Sequence, residues 1–374
     1  MKNFFGAFSD GAILFPLLAA LSLQGALPAD RLLLTAGLAY IVSGLWFRIP
    51  MPVQPLKSIS IAAVAVHASG MEIRVSGAVL GIVCLILCFA VKNDRVNAWI
   101  KSIPPFFIRA LQTALGVILA IQGLKILFPL PLYEKIAGAA ILAVLFIFSS
   151  FPLLGVFATV GLIVGVFLSS GIVGGVAGAE TTAGAVGAAN TLLRPSMVMG
   201  LVLPQIALTF ANSVLSMEVV AKSYFGEQAK RVTVPALFAS IGIGNVIVAA
   251  IGGLPYCHGA GGLTAHYRGG ARTWHANLMI GSALVAFAAI THFGQSVVLR
   301  YPLFLLGGLL IAIGWFHFGL VRMQASAGES GKLAVVAIIA GFTQTMTWPL
   351  VATVAICLVT AISQNEKIAE RSVG

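Results

Sequence analysis

The chain has 374 residues, of which 59% are hydrophobic and only 9% are charged, and its mean hydropathy is +1.02. Because a soluble domain carries about 25% charged residues, this composition excludes an ordinary soluble protein and indicates one that crosses a membrane many times. The formal net charge of +11 is spread over short connections instead of one basic face, which argues against nucleic acid as a partner.

Apolar segments recur along the whole chain, most of them long enough to cross a hydrocarbon core of about 30 Å. They lie near residues 5–24, 31–48, 53–69, 73–91, 106–128, 134–150, 152–170, 197–221, 232–252, 257–267, 275–293, 298–320, 331–345 and 347–363. The third and the tenth are too short, or too interrupted by Pro and Gly, to be plain spans. The sequence therefore predicts an all-α polytopic protein of the lipid bilayer, with about 14 transmembrane segments and broken third and tenth helices.

A stretch rich in Gly, Ala and Thr separates seven segments from seven others. Since seven is odd, the second half has the opposite orientation in the membrane, as in transporters built from inverted repeats. We assign residues 1–170 to the first repeat, residues 171–196 to an external connection and residues 197–374 to the second repeat. Lys and Arg are enriched in connections on the side of the N-terminus, so we expect a multi-pass protein of the cell (inner) membrane with both termini in the cytoplasm.

In each half, the third apolar segment is the interrupted one. In the first half, residues 50–58 contain three prolines followed by Lys57 and Ser58, and in the second half residues 254–262 end in a glycine-rich run. Prolines remove backbone donors and force an extended chain, whereas glycines let a ligand approach the backbone. Such breaks at corresponding positions of two inverted halves indicate a transporter's binding site near the bilayer midplane.

A helix is expected to begin at each interruption, with free backbone N–H groups and the positive end of the helix dipole at its start. Two such ends facing each other stabilise a negative charge, and Lys57 adds a positive one, so the expected ligand is a compact anion. The predicted substrate-binding residues are Gln54, Lys57, Ser58, Asn212, His258, Gly259, Ala260, Gly261 and Gly262.

Three residues are candidates for coupling transport to a proton, namely Asp10, Glu218 and His258. Asp10 starts the first helix, where a carboxylate can instead cap the helix or hold neighbouring helices. Glu218 lies near the predicted cytoplasmic end of its helix, where it can simply be solvated. His258 can also be a structural histidine, and for Lys57 and Gln54 the alternative to a ligand contact is a structural hydrogen bond.

The sequence does not have the pattern of a metal site or an enzyme. The four cysteines lie in or beside apolar stretches without paired ligand spacing, and Cys257, His258 and His266 have no second Cys or carboxylate at ligand spacing. No nucleophile and base stand in a recognisable arrangement. We therefore expect no metal, no cofactor and no enzymatic activity.

Four stretches have distinctive motifs. Residues 6–16 read GAFSDGAILFP, residues 50–58 read PMPVQPLKS, residues 212–214 read NSV and residues 255–273 read PYCHGAGGLTAHYRGGART. Together they resemble the GAxGDxGxxxP, PMPVQPMK, NSV and PxCHGxGGLxxxYxxGART motifs of the molybdate transporter family within the sulfate permease superfamily. Ser9 and Leu56 depart from that pattern, where Gly and Met are usual, and Trp274 follows the last block.

The resemblance implies a seven-plus-seven inverted repeat like that of uracil permease, with core and gate domains, and it is compatible with a homodimer. It also implies uptake of tetrahedral oxyanions. The expected function is thus a secondary active transporter that imports molybdate or tungstate, with H⁺ as the coupling ion and the dianion held between two half-helix N-termini. The alternatives are a transporter of sulfate or another anion, and an anion channel on the same fold.

Overall fold

The computed structural model describes residues 2–93, 95, 96, 98, 102, 104–148, 151–169, 193–294, 298–322 and 327–373. The predicted external connection at 171–196 lies almost entirely outside the described residues. Within the described parts of the chain, helices occupy the predicted apolar segments.

The first half consists of helices with one short strand. Its elements are α1 (Lys2–Ser9), α2 (Gly11–Leu23), α3 (Ala29–Phe47), β1 (Gln54–Pro55), α4 (Lys57–Val66), α5 (Gly70–Ala90), α6 (Pro105–Leu127), α7 (Leu132–Phe148) and α8 (Phe151–Ser169). The α1 and α2 helices meet at a bend of 43° and together form the first predicted segment. Local chemistry explains several helix ends: Ser69 and Glu72 form a capping box at the start of α5, and Pro105 starts α6.

The second half repeats this order of elements. They are α9 (Pro195–Leu208), a π-helical turn (Thr209–Leu215), α10 (Ser216–Phe225), a 3₁₀ turn (Gly226–Ala229), α11 (Val234–Ile251), β2 (Tyr256–Cys257), α12 (Ala260–Arg268), α13 (His275–Phe293), α14 (Leu303–Arg322), a 3₁₀ turn (Ala327–Glu329), α15 (Ser330–Thr343) and α16 (Thr347–Val373). The stretch from α9 through the 3₁₀ turn, Pro195–Ala229, forms one long span.

Among the described residues, six helices are long and apolar enough to cross a membrane, or seven if the bent pair α1 and α2 counts as one. The α4 and α15 helices and parts of α8, α14 and α16 are apolar but shorter. The polytopic all-α prediction is therefore confirmed in its coarse form, whereas the count of about 14 spans and their inverted order stay predictions.

Helices from the two halves pack against one another in three main pairs. Each pair crosses at facing glycines, namely Gly37 and Gly281 (α3 with α13), Gly81 and Gly242 (α5 with α11), and Gly123 and Gly307 (α6 with α14). A Cβ atom on Gly123 would lie 2.6 Å from the Gly307 carbonyl oxygen, so the backbones touch directly. Small residues permit this close approach in a membrane, where packing drives helix association. The halves are therefore interleaved.

The two short strands, one from each half, lie side by side at the buried centre of this arrangement. They pair antiparallel, with Gln54 opposite Cys257 and Pro55 opposite Tyr256, and all four residues are buried. The side chain of Asn245 accepts from the Tyr256 N–H at 2.9 Å and donates to its carbonyl oxygen at 2.7 Å. Extended backbone at membrane depth is stable only with such partners. Each strand directly precedes a half-helix, α4 or α12, and so sets where that helix begins.

Candidate functional site

A cavity of about 280 Å³ lies between two groups of helices. Its polar lining comprises Lys57, Asn212, Ser216 and Thr264 on one side and Arg109, Gln112 and His317 on the other, together with the backbone of Ala260 and Gly261. A second cavity of about 20 Å³ shares Lys57, Asn212, Gln112 and His317 with it and continues to Gln205, Ser213 and Cys257. At about 30 Å³ per water molecule, the larger cavity has room for a small ion and several waters.

Lys57 contributes a cation to both cavities from the first position of α4. It stands there because the prolines at 50, 52 and 55 keep the preceding chain extended and the helix cannot start earlier. The described part of the chain gives Lys57 no ion pair. A cation beside a membrane-embedded cavity without a carboxylate partner is suited to hold an anion.

The start of α4 is less open than the sequence indicated. The Gln205 side chain of α9 accepts from the Ser58 N–H at 2.8 Å and from the Ile59 N–H at 3.4 Å, and it donates to Thr209 at 3.1 Å. Ser58 is fully buried and does not line either cavity, and its hydroxyl has no hydrogen-bond partner among the described residues. This helix end therefore offers Lys57 to a ligand, while Gln205 already occupies the amides of Ser58 and Ile59.

The three predicted glycines at the start of α12 differ in the space around them. A Cβ atom on Gly261 would meet no atom within 4 Å, and Gly261 and Ala260 line the larger cavity. By contrast, a Cβ atom on Gly259 would lie 2.3 Å from the Gln54 Oε1 atom, and one on Gly262 would lie 2.5 Å from an Asp10 oxygen. Gly261 therefore faces the cavity, whereas Gly259 and Gly262 allow close packing behind it.

Asp10 and Gln54 belong to a buried network behind α12. The Gln54 amide donates to one Asp10 oxygen, and the Tyr40 hydroxyl donates to the other at 2.5 Å. The His266 Nε2 atom lies 3.7 Å from the same carboxylate, and its Nδ1 donates to the Gly6 carbonyl oxygen at 2.8 Å. Asp10 forms no side-chain cap on α2. Its carboxylate instead joins α2, α3, β1 and α12, and neither Asp10 nor Gln54 lines either of the two cavities described above.

His258 and Glu218 also lie away from the cavity lining. His258 is fully buried: its Nδ1 donates to the Pro52 carbonyl oxygen at 2.8 Å, and the Ser240 hydroxyl lies 2.9 Å from its Nε2. Both ring nitrogens are thus engaged by the protein. Glu218 pairs with Lys222 at 2.6 Å on the partly exposed side of α10. Of the predicted residues, the structure brings Lys57, Asn212, Ala260 and Gly261 together at the cavity.

Sequence reasoning missed the opposite wall. No role is predicted from the sequence for Arg109, Gln112 or His317. Arg109 pairs with Glu329 at 2.5 Å, while its Nε atom has no partner among the described residues, and the His317 Nδ1 donates to the Ile313 carbonyl oxygen at 2.8 Å. An ionisable residue within an apolar helix is by itself a signal of function, and it could have identified His317.

Comparison with known proteins assigns the chain to a family. A family model described as "Molybdate transporter of MFS superfamily" matches residues 2–119 and 197–316. Molybdate transporter 1 of Chlamydomonas reinhardtii is 35% identical over 167 residues, which cover 42% of this chain and 32% of the algal protein. Molybdate transporter 2 of Arabidopsis thaliana is 26% identical over 361 residues, which cover 83% of this chain and 76% of the plant protein.

Solved structures share the fold at low sequence identity. The transmembrane domain of the cyanobacterial bicarbonate transporter BicA superposes with a TM-score of 0.64 at 16% identity, covering 94% of this chain and 97% of that domain. SLC26A9 superposes with a TM-score of 0.64 at 14% identity, covering 97% of this chain and 65% of that protein. The relatives are transporters and not enzymes. The chain is therefore a multi-pass membrane transporter with an SLC26/SulP-like fold, and it belongs to the molybdate transporter family.

Proposed function

We propose that this protein is a secondary active transporter that imports molybdate, or the similar tungstate dianion, and that it binds the dianion in the cavity beside Lys57. The observation that carries the proposal is the half-buried Lys57 at the start of α4, which lines both cavities and has no ion pair in the described part of the chain. The names of the relatives support molybdate as the substrate, and those of the solved structures support anion transport in general.

Both walls of the cavity have a role in this proposal. Lys57 and the backbone at Gly261 attract the dianion from one side, because a cation and a helix N-terminus both favour negative charge. Arg109, Gln112 and His317 face them from α6 and α14. Arg109 is paired with Glu329, but its Nε–H has no partner among the described residues. Together with the amide N–H donors of Gln112, this donor allows an oxyanion to be bound from both sides.

Transport then follows from movement between two groups of helices. We assign α1–α5 and α9–α13 to a core that holds Lys57, and α6–α8 and α14–α16 to a gate that holds Arg109. Helix packing supports the proposed repeats, residues 1–170 and 197–374. By order along the chain, α3 of the first repeat corresponds to α11 of the second, α5 to α13, and α6 to α14. The packed pair α3–α13 is therefore equivalent to the packed pair α11–α5, and α6–α14 is equivalent to itself. Sliding of core against gate around a fixed midplane site gives alternating access.

The lining of the cavity also supports a proposal for the conformational state of the transporter. With both termini in the cytoplasm, as the charge bias predicts, Pro105, Val220 and Thr264 lie toward the cytoplasmic ends of their helices. All three residues line the cavity. The proposed state is therefore open to the cytoplasm.

Import of a dianion into a negative-inside cell needs a second driving force, because the membrane potential opposes each charge by about 2.3 kcal/mol per 100 mV. We propose H⁺ as the coupling ion. Among the candidates, Asp10 is favoured, since its carboxylate is fully buried behind Gly262. His258 has both nitrogens engaged, and Glu218 already pairs with Lys222.

The proposal is tested by calorimetry on purified protein with molybdate, followed by tungstate, sulfate and bicarbonate as competitors. We expect molybdate and tungstate to bind at one site and Lys57→Ala to weaken binding by about tenfold or more, which corresponds to about 1.4 kcal/mol. Lys125→Ala, at an exposed position on α6, is the matched control and should bind normally. Equal affinity of Lys57→Ala and the control would remove Lys57 from the site.

Competition by sulfate or bicarbonate alone would instead assign the protein to another anion. Reconstituted vesicles separate a transporter from a channel, because only a transporter accumulates molybdate above its external concentration when a proton gradient is imposed. Current without accumulation would contradict the proposed mechanism.

A further inference from the structure

A separate cavity of about 320 Å³ lies between α3 and α11, away from the proposed anion site. Its walls are apolar side chains, including Leu38, Val42 and Trp46 on α3 and Ala239, Ile243 and Ile247 on α11. Val42 and Trp46 are 63% and 59% exposed, and Ile247 is 54% exposed. Both helices are long enough to span a membrane, so these exposed side chains lie at the depth of the bilayer, and the cavity is a groove open to the outside of the chain.

The groove exists because its two helices pack mainly against other partners, α3 against α13 and α11 against α5. Its floor is formed by small residues, among them Ala39, Ser43 and Gly244. The floor reaches the central strands, since a Cβ atom on Gly244 would lie 2.0 Å from the Tyr256 hydroxyl oxygen. On α3 the groove extends from Thr35 to Trp46, about 16 Å at 1.5 Å per residue, which is close to the depth of one leaflet of a core about 30 Å thick.

Positive charge is concentrated at one end of the groove. Arg48 follows α3 directly, and Arg231 precedes α11 and donates to the Trp46 carbonyl oxygen at 2.9 Å. With Lys230 they line an adjoining depression of about 520 Å³, which contains one acidic residue, Glu227. Three cations beside one carboxylate attract anionic groups at a membrane surface, and each Lys or Arg near that surface contributes about 1 kcal/mol.

We propose that this groove is a binding site for an anionic phospholipid, with one acyl chain along α3 and α11 and the phosphate at Arg48 and Arg231. Apolar walls of one-leaflet depth match an acyl chain, and the basic end matches an anionic headgroup. The bound lipid also reaches the transport machinery, because Ser240 on the groove floor lies 2.9 Å from His258, whose other nitrogen contacts Pro52 beside β1.

The test measures contact between Trp46 and lipid. Protein is reconstituted in phosphatidylcholine vesicles with a rising fraction of brominated phosphatidylglycerol, and Trp46 quenching is taken as the difference between the unaltered protein and Trp46→Phe. We expect half-maximal quenching at a ratio of brominated phosphatidylglycerol to phosphatidylcholine at least about fivefold lower than the ratio needed with brominated phosphatidylcholine, since the headgroup attraction of a single cation, about 1 kcal/mol, corresponds to that factor.

Two variants divide the proposal into its parts. The double variant Arg48→Gln and Arg231→Gln should abolish the preference for phosphatidylglycerol, whereas Lys92→Gln, at an exposed cation after α5, should retain it. Ala239→Phe should fill the groove and reduce quenching by both lipids, whereas Ala286→Phe, at an exposed alanine of α13, should not.

Two results would overturn the proposal. Equal quenching by the two brominated lipids in the unaltered protein would mean that Trp46 contacts only bulk lipid. Absence of quenching by either lipid would mean that something else, such as a second copy of the chain, covers the groove.

Discussion

Three glycines at the start of α12 have different surroundings, although they are close neighbours in sequence. Gly261 faces open space in the cavity, whereas Gly259 and Gly262 lie against Gln54 and Asp10. A glycine run thus serves two purposes here, ligand approach at one position and helix packing at the other two. Substitution distinguishes them.

Gly261→Val should block the proposed anion site without disturbing the fold, because the added side chain enters the cavity and meets no protein atom within 4 Å at its Cβ. We expect molybdate affinity to fall by about tenfold or more, measured by calorimetry, with an unchanged melting temperature. Gly328→Val is the matched control, since Gly328 also has open space around it but lies outside the cavity. Normal affinity in Gly261→Val would mean that the ligand binds elsewhere.

Arg109→Gln should lower molybdate affinity by about tenfold or more, because it removes the guanidinium donor that we assign to the anion, and a hydrogen bond to a charged group is worth about 1.5–3 kcal/mol. The comparison variant is Glu329→Gln, which removes the carboxylate partner of Arg109 but keeps the guanidinium. If Arg109 binds the anion, affinity falls only in Arg109→Gln. An equal loss of affinity in both variants would mean that the ion pair acts structurally.

At the scale of elements, the decisive feature is how a half-helix begins. The α4 helix starts after three prolines, and its first amides are bonded by Gln205, a residue of α9. The adjoining π-helical turn, Thr209–Leu215, contains Asn212, which lines both cavities. Such a turn inside an α-helix often occurs at a functional site. The span from α9 to α10 therefore accepts hydrogen bonds from the first amides of α4, through Gln205, and also contributes Asn212 to the lining of the proposed site.

Gln205→Ala should destabilise the protein by about 1–2 kcal/mol, because it leaves the amides of Ser58 and Ile59 without their acceptor, as when a helix cap is lost. The expected readout is a lower melting temperature in detergent. Gln112→Ala, at another glutamine of both cavities, should keep the melting temperature, because the Gln112 side chain has no hydrogen-bond partner among the described residues. If molybdate restored the stability of Gln205→Ala, the freed amides would themselves bind the anion.

At the scale of the whole molecule, the proposed core and gate contribute opposite walls of one cavity, and the Asp10 network lies entirely within the core. It joins α2, α3, β1 and α12 through Tyr40, Gln54 and His266. A proton bound there would alter the interaction among four core elements at once, which is how a buried acid can couple to a domain movement.

Asp10→Asn should retain molybdate binding but lose the stimulation of uptake by an inward proton gradient, because an amide has nearly the shape of a carboxyl group and does not titrate. The measurement is accumulation of molybdate in vesicles with and without the gradient. Glu218→Gln is the control and should keep full stimulation. Stimulation that survives in Asp10→Asn and disappears in Glu218→Gln would transfer the coupling role to Glu218.

Several features followed from the sequence alone because they depend on local chemistry. The apolar segments required a membrane, the prolines at 50, 52 and 55 required an extended run, and the run after Pro255 placed a second half-helix start in the matching position. Lys57 was also predicted from local sequence to be a substrate-binding residue, since a charged residue within an apolar segment is energetically costly unless it has a function.

Other features depended on contacts between residues far apart in sequence, and only the tertiary structure decided them. The Gln205 side chain accepts a hydrogen bond from the Ser58 N–H, although the two residues are 147 positions apart in sequence. Arg109 and His317 line the cavity only because α6 and α14 pack together opposite α4. Local pattern determines where a helix breaks, because backbone preferences act over a few residues. Which groups then remain free for a ligand is determined by helix packing, which brings distant side chains to the same polar atoms.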